Sequence, residues 1–296
     1  MKSVISWLKR SFIGRRLGRT GRAWLGYRGR CVYIRVRSGR PGRRILCFPD
    51  LPRTYHKIFF ICQELGYVLT ADTGRPADLV LHWKDTTYRE VPEVLAGMDG
   101  RVLNLHCNDI SKVHLERVFR SVFGYGSIID PLKHEGVCIR KSNLNAQHRN
   151  SLVRCPLSQR DSGFVYQKFI DSFEGVLSEE IRVPLFDGTV PFLVLKYRTR
   201  EQQFMQEKTR MLHAAVSDHL SSDELSKVLE FCRLFRLDYG ELDLLRDRHD
   251  GRLYIIDANN TPGGTTDGLT RELKRENIKL YADGFRKMME GGGRKK

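Results

Sequence analysis

Apolar and polar residues alternate along this chain in short runs, which predict many brief strands and a few helices. Between two early runs, a helix is predicted after Pro52, with its apolar side at positions 58, 59, 61, 62 and 65 and its end at Gly66. The alternation of strands with helix predicts a small open α/β domain with a parallel sheet. The runs that predict strands here are Arg44–Phe48, Tyr67–Leu69, Leu79–Trp83 and Val102–His106.

Three later helices carry clearer signals. Ser111 is a predicted N-cap, Gly124 a predicted end, and positions 113, 115, 118, 119 and 122 form the apolar stripe between them. Ser221 or Ser222, followed by Asp223-Glu224, predicts the start of a second helix that runs to Phe235. The last helix is predicted at 277–289, and a polar tail follows it.

The middle of the chain has the pattern of an antiparallel sheet. Val137–Lys141 and Gly163–Ile170 are predicted strands, separated by a stretch that begins with the polar loop Ser142–Asn150. Ile181–Phe186 and Val190–Tyr197 are predicted to form a hairpin that turns at Asp187-Gly188. Nearer the start, positions 31–37 alternate apolar and arginine residues, which is the period of a strand.

The segment 237–264 is the main indication of function. It contains two apolar runs joined by a polar segment that ends in Asp250-Gly251, a hairpin signal. If the runs pair around that turn, Asp243 and Asp257 lie opposite each other, and Asn259 lies on the face of Asp257. Two carboxylates and an amide oxygen suit a magnesium ion that also binds substrate phosphates. An ordinary hairpin with acidic residues at its rim is the alternative.

This segment resembles the metal site of the ATP-grasp superfamily, where an acidic residue and an acidic-x-Asn pair hold two magnesium ions. Asn259 to Gly263 also match the Asn-x-x-Pro-Gly loop that often follows. The resemblance implies an α/β, ATP-grasp-like fold: a basic amphipathic segment at 1–44, a parallel α/β domain at 45–124, an antiparallel lid at 125–200 and a metal-binding α+β subdomain at 201–290. Two features depart from the family: Asp257 replaces the usual Glu, and 138–162 contains no glycine.

The resemblance also assigns roles to individual residues. Lys141 matches the lysine that contacts the phosphates, and its neighbour Arg140 would face the other way. Gln167, Lys168, Phe169 and Ile170 match the hinge that receives adenine. Glu174 matches the carboxylate that binds the ribose, with Glu180 in reserve. The residues expected to neutralise triphosphate charge are Arg182, Lys196 and Arg198. In the loop without glycine, Asn145 and His148 are the preferred candidates for phosphate contacts.

By resemblance, the chemistry is an ATP- and magnesium-dependent ligation, in which ATP phosphorylates a carboxylate and an amine attacks the acyl phosphate. A non-catalytic protein of the same fold that binds nucleotide or a polyanion is the alternative from another class. A kinase that phosphorylates a small molecule is the third. The partners expected are ATP and a carboxylate and an amine that the sequence does not identify. If the enzyme works at a membrane surface, as the basic start of the chain suggests, the substrate expected is a cell-envelope or polysaccharide precursor.

The basic residues are unevenly distributed. The first 44 residues hold 14 of the 51 basic residues and no acidic one, and the rest carry 37 basic and 35 acidic residues. A nearly neutral body argues against nucleic-acid binding as the main activity. Residues 1–18 have the spacing of a basic amphipathic helix, which predicts attachment of the segment 1–44 to an anionic membrane surface. A plain basic arm and a targeting sequence are the alternatives.

Seven cysteines are scattered through apolar stretches without a Cys-x-x-Cys pair, a pattern typical of reduced, buried thiols in a cytosolic protein. No apolar run approaches the roughly 18 residues of a membrane-spanning helix. We therefore expect a cytoplasmic protein that is peripheral to a membrane if its basic segment binds one.

Overall fold

A computed structural model describes residues 19–39, 42–145, 147, 150–202, 209–264 and 270–291. The helix predicted at 1–18, most of the polar tail and His148 lie outside these residues. Among the helices that are described, none is both long and apolar enough to cross a bilayer.

The N-terminal part is a four-stranded parallel sheet, as the sequence predicts. Its strands lie in the order β2-β1-β3-β4, and every pairing is parallel. Gly66 ends helix α2 in the left-handed conformation, and Gly124 ends α4 in the same way. The strands are β1 (Arg44–Pro49), β2 (Val68–Thr70), β3 (Leu79–Trp83) and β4 (Val102–Leu103), and the helices are α2 (Lys57–Leu65), α3 (Glu93–Ala96) and α4 (Lys112–Phe123).

Residues 31–37 belong to helix α1 (Arg19–Ser38), so the alternating pattern was misleading there. Tyr27 and Cys31, four residues apart, are buried on one side of the helix, and the Tyr27 hydroxyl accepts the Leu69 N–H at 3.0 Å. Val32 and Val36, which supplied the apolar half of the alternation, are exposed. The two buried residues are spaced as on one side of a helix, and their packing against the N-terminal sheet stabilises the helix over the strand.

A three-stranded antiparallel sheet follows, with strand order β6-β5-β7. Its strands are β5 (Gly136–Ser142), β6 (Ser151–Cys155) and β7 (Phe164–Lys168). Residues 151–155 form an edge strand that pairs with β5, although their sequence pattern did not predict a strand. Segment 127–129 lies along the other edge of β7, where the Lys168 N–H donates to the Ser127 carbonyl at 2.8 Å.

A six-stranded antiparallel sheet forms the C-terminal part. Its order is β11-β10-β9-β12-β13, with β8 paired to β9. The β9–β10 hairpin, which the predicted boundary at 200 places in the lid, shares this sheet with the β12–β13 hairpin. The strands are β8 (Phe173–Glu174), β9 (Leu177–Phe186), β10 (Leu193–Arg198), β11 (Arg210–Ala214), β12 (Tyr239–Arg246) and β13 (Leu253–Asn259).

Three helices complete the C-terminal part: α5 (Val216–His219), α6 (Ser222–Leu234) and α7 (Arg271–Gly291). Ser221 and Glu224 form a capping box at the start of α6. One apolar core joins α4 and α6 to a face of the six-stranded sheet. A second joins the N-terminal sheet to α1, α2, α7 and the other face of the six-stranded sheet, through residues such as Phe186 and Tyr239. All seven cysteines are buried, as predicted.

Candidate functional site

The predicted charged residues lie on the face of the six-stranded sheet that is opposite the larger apolar core. Asp243 lies between Arg182 of β9 and Asp257 of β13, and Lys196 of β10 lies opposite Glu180 of β9. Directly opposed residues of antiparallel strands project to the same side. The register therefore confirms that Asp243 and Asp257 face each other, and it places all five side chains on one face.

Asp243 is bound by two cations. The Arg182 guanidinium donates to both Asp243 oxygens, at 2.8 and 2.9 Å, and Lys196 donates to Oδ1 at 3.0 Å. Lys196 also pairs with Glu180, whose second oxygen accepts from Arg198 at 2.7 Å. Burial alone would raise the pKa of Asp243, but Arg182 and Lys196 outweigh it and hold that pKa well below its usual range.

Two lysines from other parts of the chain reach the same face. Lys112, the first residue of α4, pairs with Asp257. Lys141 of β5 is buried close enough to interact with Lys112 and the cluster carboxylates; burial, reinforced by Lys112 and opposed by Asp257, lowers its pKa to about 8. We call Lys112, Lys141, Glu180, Arg182, Lys196, Arg198, Asp243 and Asp257 the charge cluster. Its five basic side chains outnumber its three carboxylates, which favours a polyanionic ligand.

The set Asp243, Asp257 and Asn259 fits a magnesium ion by its donor chemistry, since all three supply oxygen. Asn259 Oδ1 accepts the Thr261 N–H at 2.9 Å, and Asp257 keeps 35% of its side chain exposed. Within the described residues, no group of three or more His, Cys, Asp and Glu is placed to hold a metal. A cation at this position would therefore depend on the Asn259 amide or on ligand oxygens, and it would compete with Lys112 for Asp257.

A buried extension of the cluster connects it to the N-terminal domain. Glu241, two residues before Asp243, accepts from Lys57 and from the Tyr281 hydroxyl, and its other oxygen lies 3.1 Å from Arg182. The Lys57 amine also lies 4.1 Å from the centre of the Tyr281 ring. Burial, partly offset by Glu241, lowers the pKa of Lys57 to about 8. This network fixes the start of α2 against the β12–β13 hairpin.

The predicted hinge lies at the end of β7. Gln167 is buried, and its Nε2 donates to Ser127 Oγ at 3.1 Å, while Oε1 has no hydrogen-bond partner among the described residues. Lys168 pairs with Asp247 at 3.0 Å; Phe169 is half-buried and Ile170 is part of the larger core. A buried acceptor without a donor is rare in folded proteins and fits the exocyclic amino group of adenine.

The remaining candidates are distributed differently. Glu174 is exposed in the tight β8–β9 hairpin, whereas Glu180 belongs to the charge cluster. Arg140 pairs with Asp161 and stacks on the Phe164 ring, on the face opposite Lys141, as expected. Asn145 donates its N–H to Thr87 Oγ1 at 2.8 Å.

Sequence reasoning missed Lys57 and Lys112, although both left a signal. Each is the first residue of a helix whose first turn contains no acidic residue. The positive end of the helix dipole disfavours a cation at that position, so a lysine there indicates a specific anionic partner. In the structure, those partners are Glu241 and Asp257.

Comparison with solved structures identifies the fold. D-alanine–D-alanine ligase from Bacillus anthracis matches with a TM-score of 0.53 and 14% identity, over 84% of this chain and 95% of that chain. The same enzyme complexed with ATP matches with a TM-score of 0.51 and 14% identity, over 85% and 97%. The ATP-grasp ligase PsnB, complexed with a minimal precursor, matches with a TM-score of 0.47 and 14% identity, over 66% and 67%.

No protein-family model matches the chain. The search of curated proteins gives no match either. The two matches to the D-alanine–D-alanine ligase cover nearly the whole of that enzyme, and the mixed parallel and antiparallel architecture is the one expected from the sequence. The chain therefore has the ATP-grasp fold.

Proposed function

We propose that this ATP-grasp chain is a magnesium-dependent ligase that uses ATP to join a carboxylate to an amine. The observation that carries the proposal is the charge cluster, in which two opposed aspartates lie among an excess of cations on one sheet face. Magnesium bound by Asp243, Asp257 and Asn259 would neutralise charge on phosphate oxygens.

The basic residues of the cluster have separate tasks in this proposal. Lys141 enters from the three-stranded sheet and binds the triphosphate as a point charge. Arg182 and Arg198 present planar donor groups, which suit the oxygens of a transferring phosphoryl group. Because Lys196 and Asp243 fix the side chains around them, these donors are oriented before the reaction begins.

The reaction has two steps. A carboxylate oxygen of the substrate attacks the γ-phosphorus and ADP leaves; the amine then attacks the acyl carbon and phosphate leaves, which forms the amide. No protein nucleophile takes part, and the cluster supplies positioning and charge. Glu180 is already bound to Lys196 and Arg198, which supports Glu174 as the carboxylate for the ribose.

One observation favours a second candidate, a non-catalytic nucleotide- or polyanion-binding protein. Both aspartates proposed to bind magnesium already have basic partners. Asp243 pairs with Arg182 and Lys196, and Asp257 pairs with Lys112. Incubation with ATP, mixed carboxylates and hydroxylamine separates the candidates. A ligase forms ADP and a hydroxamate, a binding protein forms neither, and a small-molecule kinase forms ADP and a phosphorylated product.

Membrane attachment through residues 1–44 stays a prediction. The described part that bears on it is α1, whose Arg28, Val32 and Val36 are exposed and spaced four residues apart. This line of residues would complement anionic headgroups over an apolar boundary.

The proposal is tested by thermal unfolding with ATP, with and without magnesium. Ligand at about 100 times its dissociation constant adds roughly 2.7 kcal/mol to the free energy of unfolding, so we expect a rise of several degrees. The magnesium-dependent part of the rise should disappear in Asp257→Ala.

Asp250→Ala is the matched control. Asp250 lies in the same hairpin, is also 35% exposed and also pairs with a lysine, but it is outside the charge cluster. It should keep the difference between ATP with and without magnesium. No rise in the wild type at millimolar ATP contradicts a nucleotide site, and equal loss in both variants contradicts the role of Asp257.

A further inference from the structure

Gln167 is held by a chain of hydrogen bonds that begins at a buried carboxylate. Glu116 Oε2 accepts the Ser127 hydroxyl at 2.9 Å, and Ser127 Oγ in turn accepts from Gln167 Nε2 at 3.1 Å. All three residues are at most 5% exposed. We call Glu116, Ser127 and Gln167 the Glu116 relay.

The direction of these bonds is set at the carboxylate. Glu116 also accepts the N–H groups of Ser127 and Ile128, at 2.9 and 3.1 Å, and the Arg120 guanidinium at 2.7 Å. With these donors around it, the carboxylate is an acceptor only, so the Ser127 hydroxyl must donate its single proton to it. The serine oxygen can then only accept. Gln167 must therefore turn its NH₂ group towards Ser127 and its carbonyl oxygen away.

That oxygen belongs to the face of the three-stranded sheet that carries Lys141. Gln167 lies opposite Ile139, and Lys141 lies opposite Val165, so these four side chains project to one side. Lys141 is close enough to interact with Asp243 and Asp257. Gln167 Oε1 therefore lies on the side of the sheet that carries Lys141, and it accepts no hydrogen bond from any residue that the structure describes.

We propose that Glu116 and Ser127 are positioning residues that fix Gln167 Oε1 as an acceptor and thereby select a purine with a 6-amino group over one with a 6-oxo group. This inference rests on the proposed nucleotide site. Adenine offers N–H donors to Oε1. Hypoxanthine and guanine would place a carbonyl oxygen against it, which leaves two buried acceptors without a donor.

Ser127→Ala tests the relay with ATP and ITP as probes and dissociation constants as the readout. The wild type should bind ATP roughly tenfold or more tightly than ITP. In the variant the Gln167 amide is free to flip and donate to the 6-oxo group, so the ratio should fall towards one, mainly because ITP binds better. Ser121→Ala, on α4 with its hydroxyl bound to the Val118 carbonyl, is the matched control and should keep the ratio.

A rescue variant separates positioning from a structural effect. In Ser127→Ala/Gln167→Glu, measured above neutral pH, both carboxylate oxygens accept, so preference for ATP should return without the serine. Loss of stability alone would not be reversed in this way.

The possible results are distinct. A wild type without preference between ATP and ITP overturns the inference, as does a Ser127→Ala variant with the wild-type ratio or a double variant with no preference. A wild type that binds neither nucleotide contradicts the proposed function itself.

Discussion

Asp243 and Glu116 are two carboxylates of low exposure, 16% and 5%, that are stabilised in different ways. Asp243 receives its hydrogen bonds from the side chains of Arg182 and Lys196, which come from other strands of the sheet. Glu116 receives backbone N–H groups and a hydroxyl from the nearby segment 127–128. The basic partner seen for Glu116 in the described part of the chain, Arg120, lies one turn along the same helix.

The difference bears on what each carboxylate does. The basic side chains are hydrated when the chain is unfolded, so folding replaces their hydration by ion pairs in the charge cluster. The stability of the protein is therefore sensitive to the loss of one member of a pair. Backbone donors have fixed positions, so the Glu116 relay transmits a direction of hydrogen bonding. We expect changes in the cluster to alter stability and phosphate binding, and changes in the relay to alter the choice of base.

Asp243→Ala should have the largest effect. The substitution leaves four basic side chains with two carboxylates, because Arg182 then shares Glu241 with Lys57 and Lys196 shares Glu180 with Arg198. Removal of one member of a buried ion pair costs about 3 kcal/mol or more. The midpoint of urea unfolding should fall accordingly. Asp257→Ala is the comparison variant. The Asp257 side chain is 35% exposed and pairs with Lys112, whereas Asp243 is 16% exposed and pairs with both Arg182 and Lys196, so Asp257→Ala should lose less than Asp243→Ala. Equal losses of unfolding free energy in the two variants would contradict the larger role given to the ion pairs of Asp243.

Lys141 should give the second-largest effect, a dependence of the free energy of unfolding on pH. Burial and Lys112 lower the pKa of Lys141 to about 8, from 10.5 in the unfolded chain. Between these two pH values the unfolded chain binds more protons at this group than the folded protein does. Its contribution to the free energy of unfolding therefore rises with pH across that window, by about 3 kcal/mol.

The measurement is urea unfolding of the wild type and Lys141→Met across this pH range, because the difference between them removes the contributions of other groups. ATP affinity should change in the opposite sense, since the lysine loses its positive charge above pH 8. Saturating ATP should flatten the difference by restoring the charge. If the difference in unfolding free energy between the wild type and Lys141→Met does not change with pH, Lys141 does not titrate in this range.

The sequence predicted the charge cluster better than the relay, for a physical reason. Asp243 and Asp257 lie opposite each other because of the two-residue period of a strand and the position of the turn, and both can be read from the local sequence. Arg182 and Lys196 were found because the resemblance supplied the order of the strands. Lys112 was missed because the contact of α4 with β13 is a tertiary one, and no strand register defines it.

The relay was not predictable in the same way. Ser127 and Ile128 contribute backbone N–H groups, and their direction depends on loop dihedrals that residue types do not reveal. Glu116 has a polar position on an amphipathic helix, which usually indicates exposure. Glu116 is buried because the chain after Gly124 folds back over it and lays residues 127–129 along β7. Predictable residues were those whose partners are set by periodicity.

Gly126→Ala should give a smaller loss of stability than Asp243→Ala, together with a selective loss of function. A Cβ atom at this position would lie 2.1 Å from Glu116 Oε1 and 2.2 Å from Arg120 Nε, so both groups must move. We expect a loss of about 1–3 kcal/mol in unfolding free energy. Because the carboxylate that orients Ser127 is displaced, the preference for ATP over ITP should also fall.

Gly97→Ala is the matched control for this substitution. Gly97 has an ordinary φ of −91°, and the nearest atom to an added Cβ is the Glu93 carbonyl oxygen at 3.5 Å, a normal contact. It should change neither the stability nor the ratio of ATP to ITP affinity appreciably. If Gly126→Ala destabilises the protein but keeps the wild-type ratio, Glu116 stabilises the loop without orienting the amide. The difference drawn between the two carboxylates would then be one of stability alone.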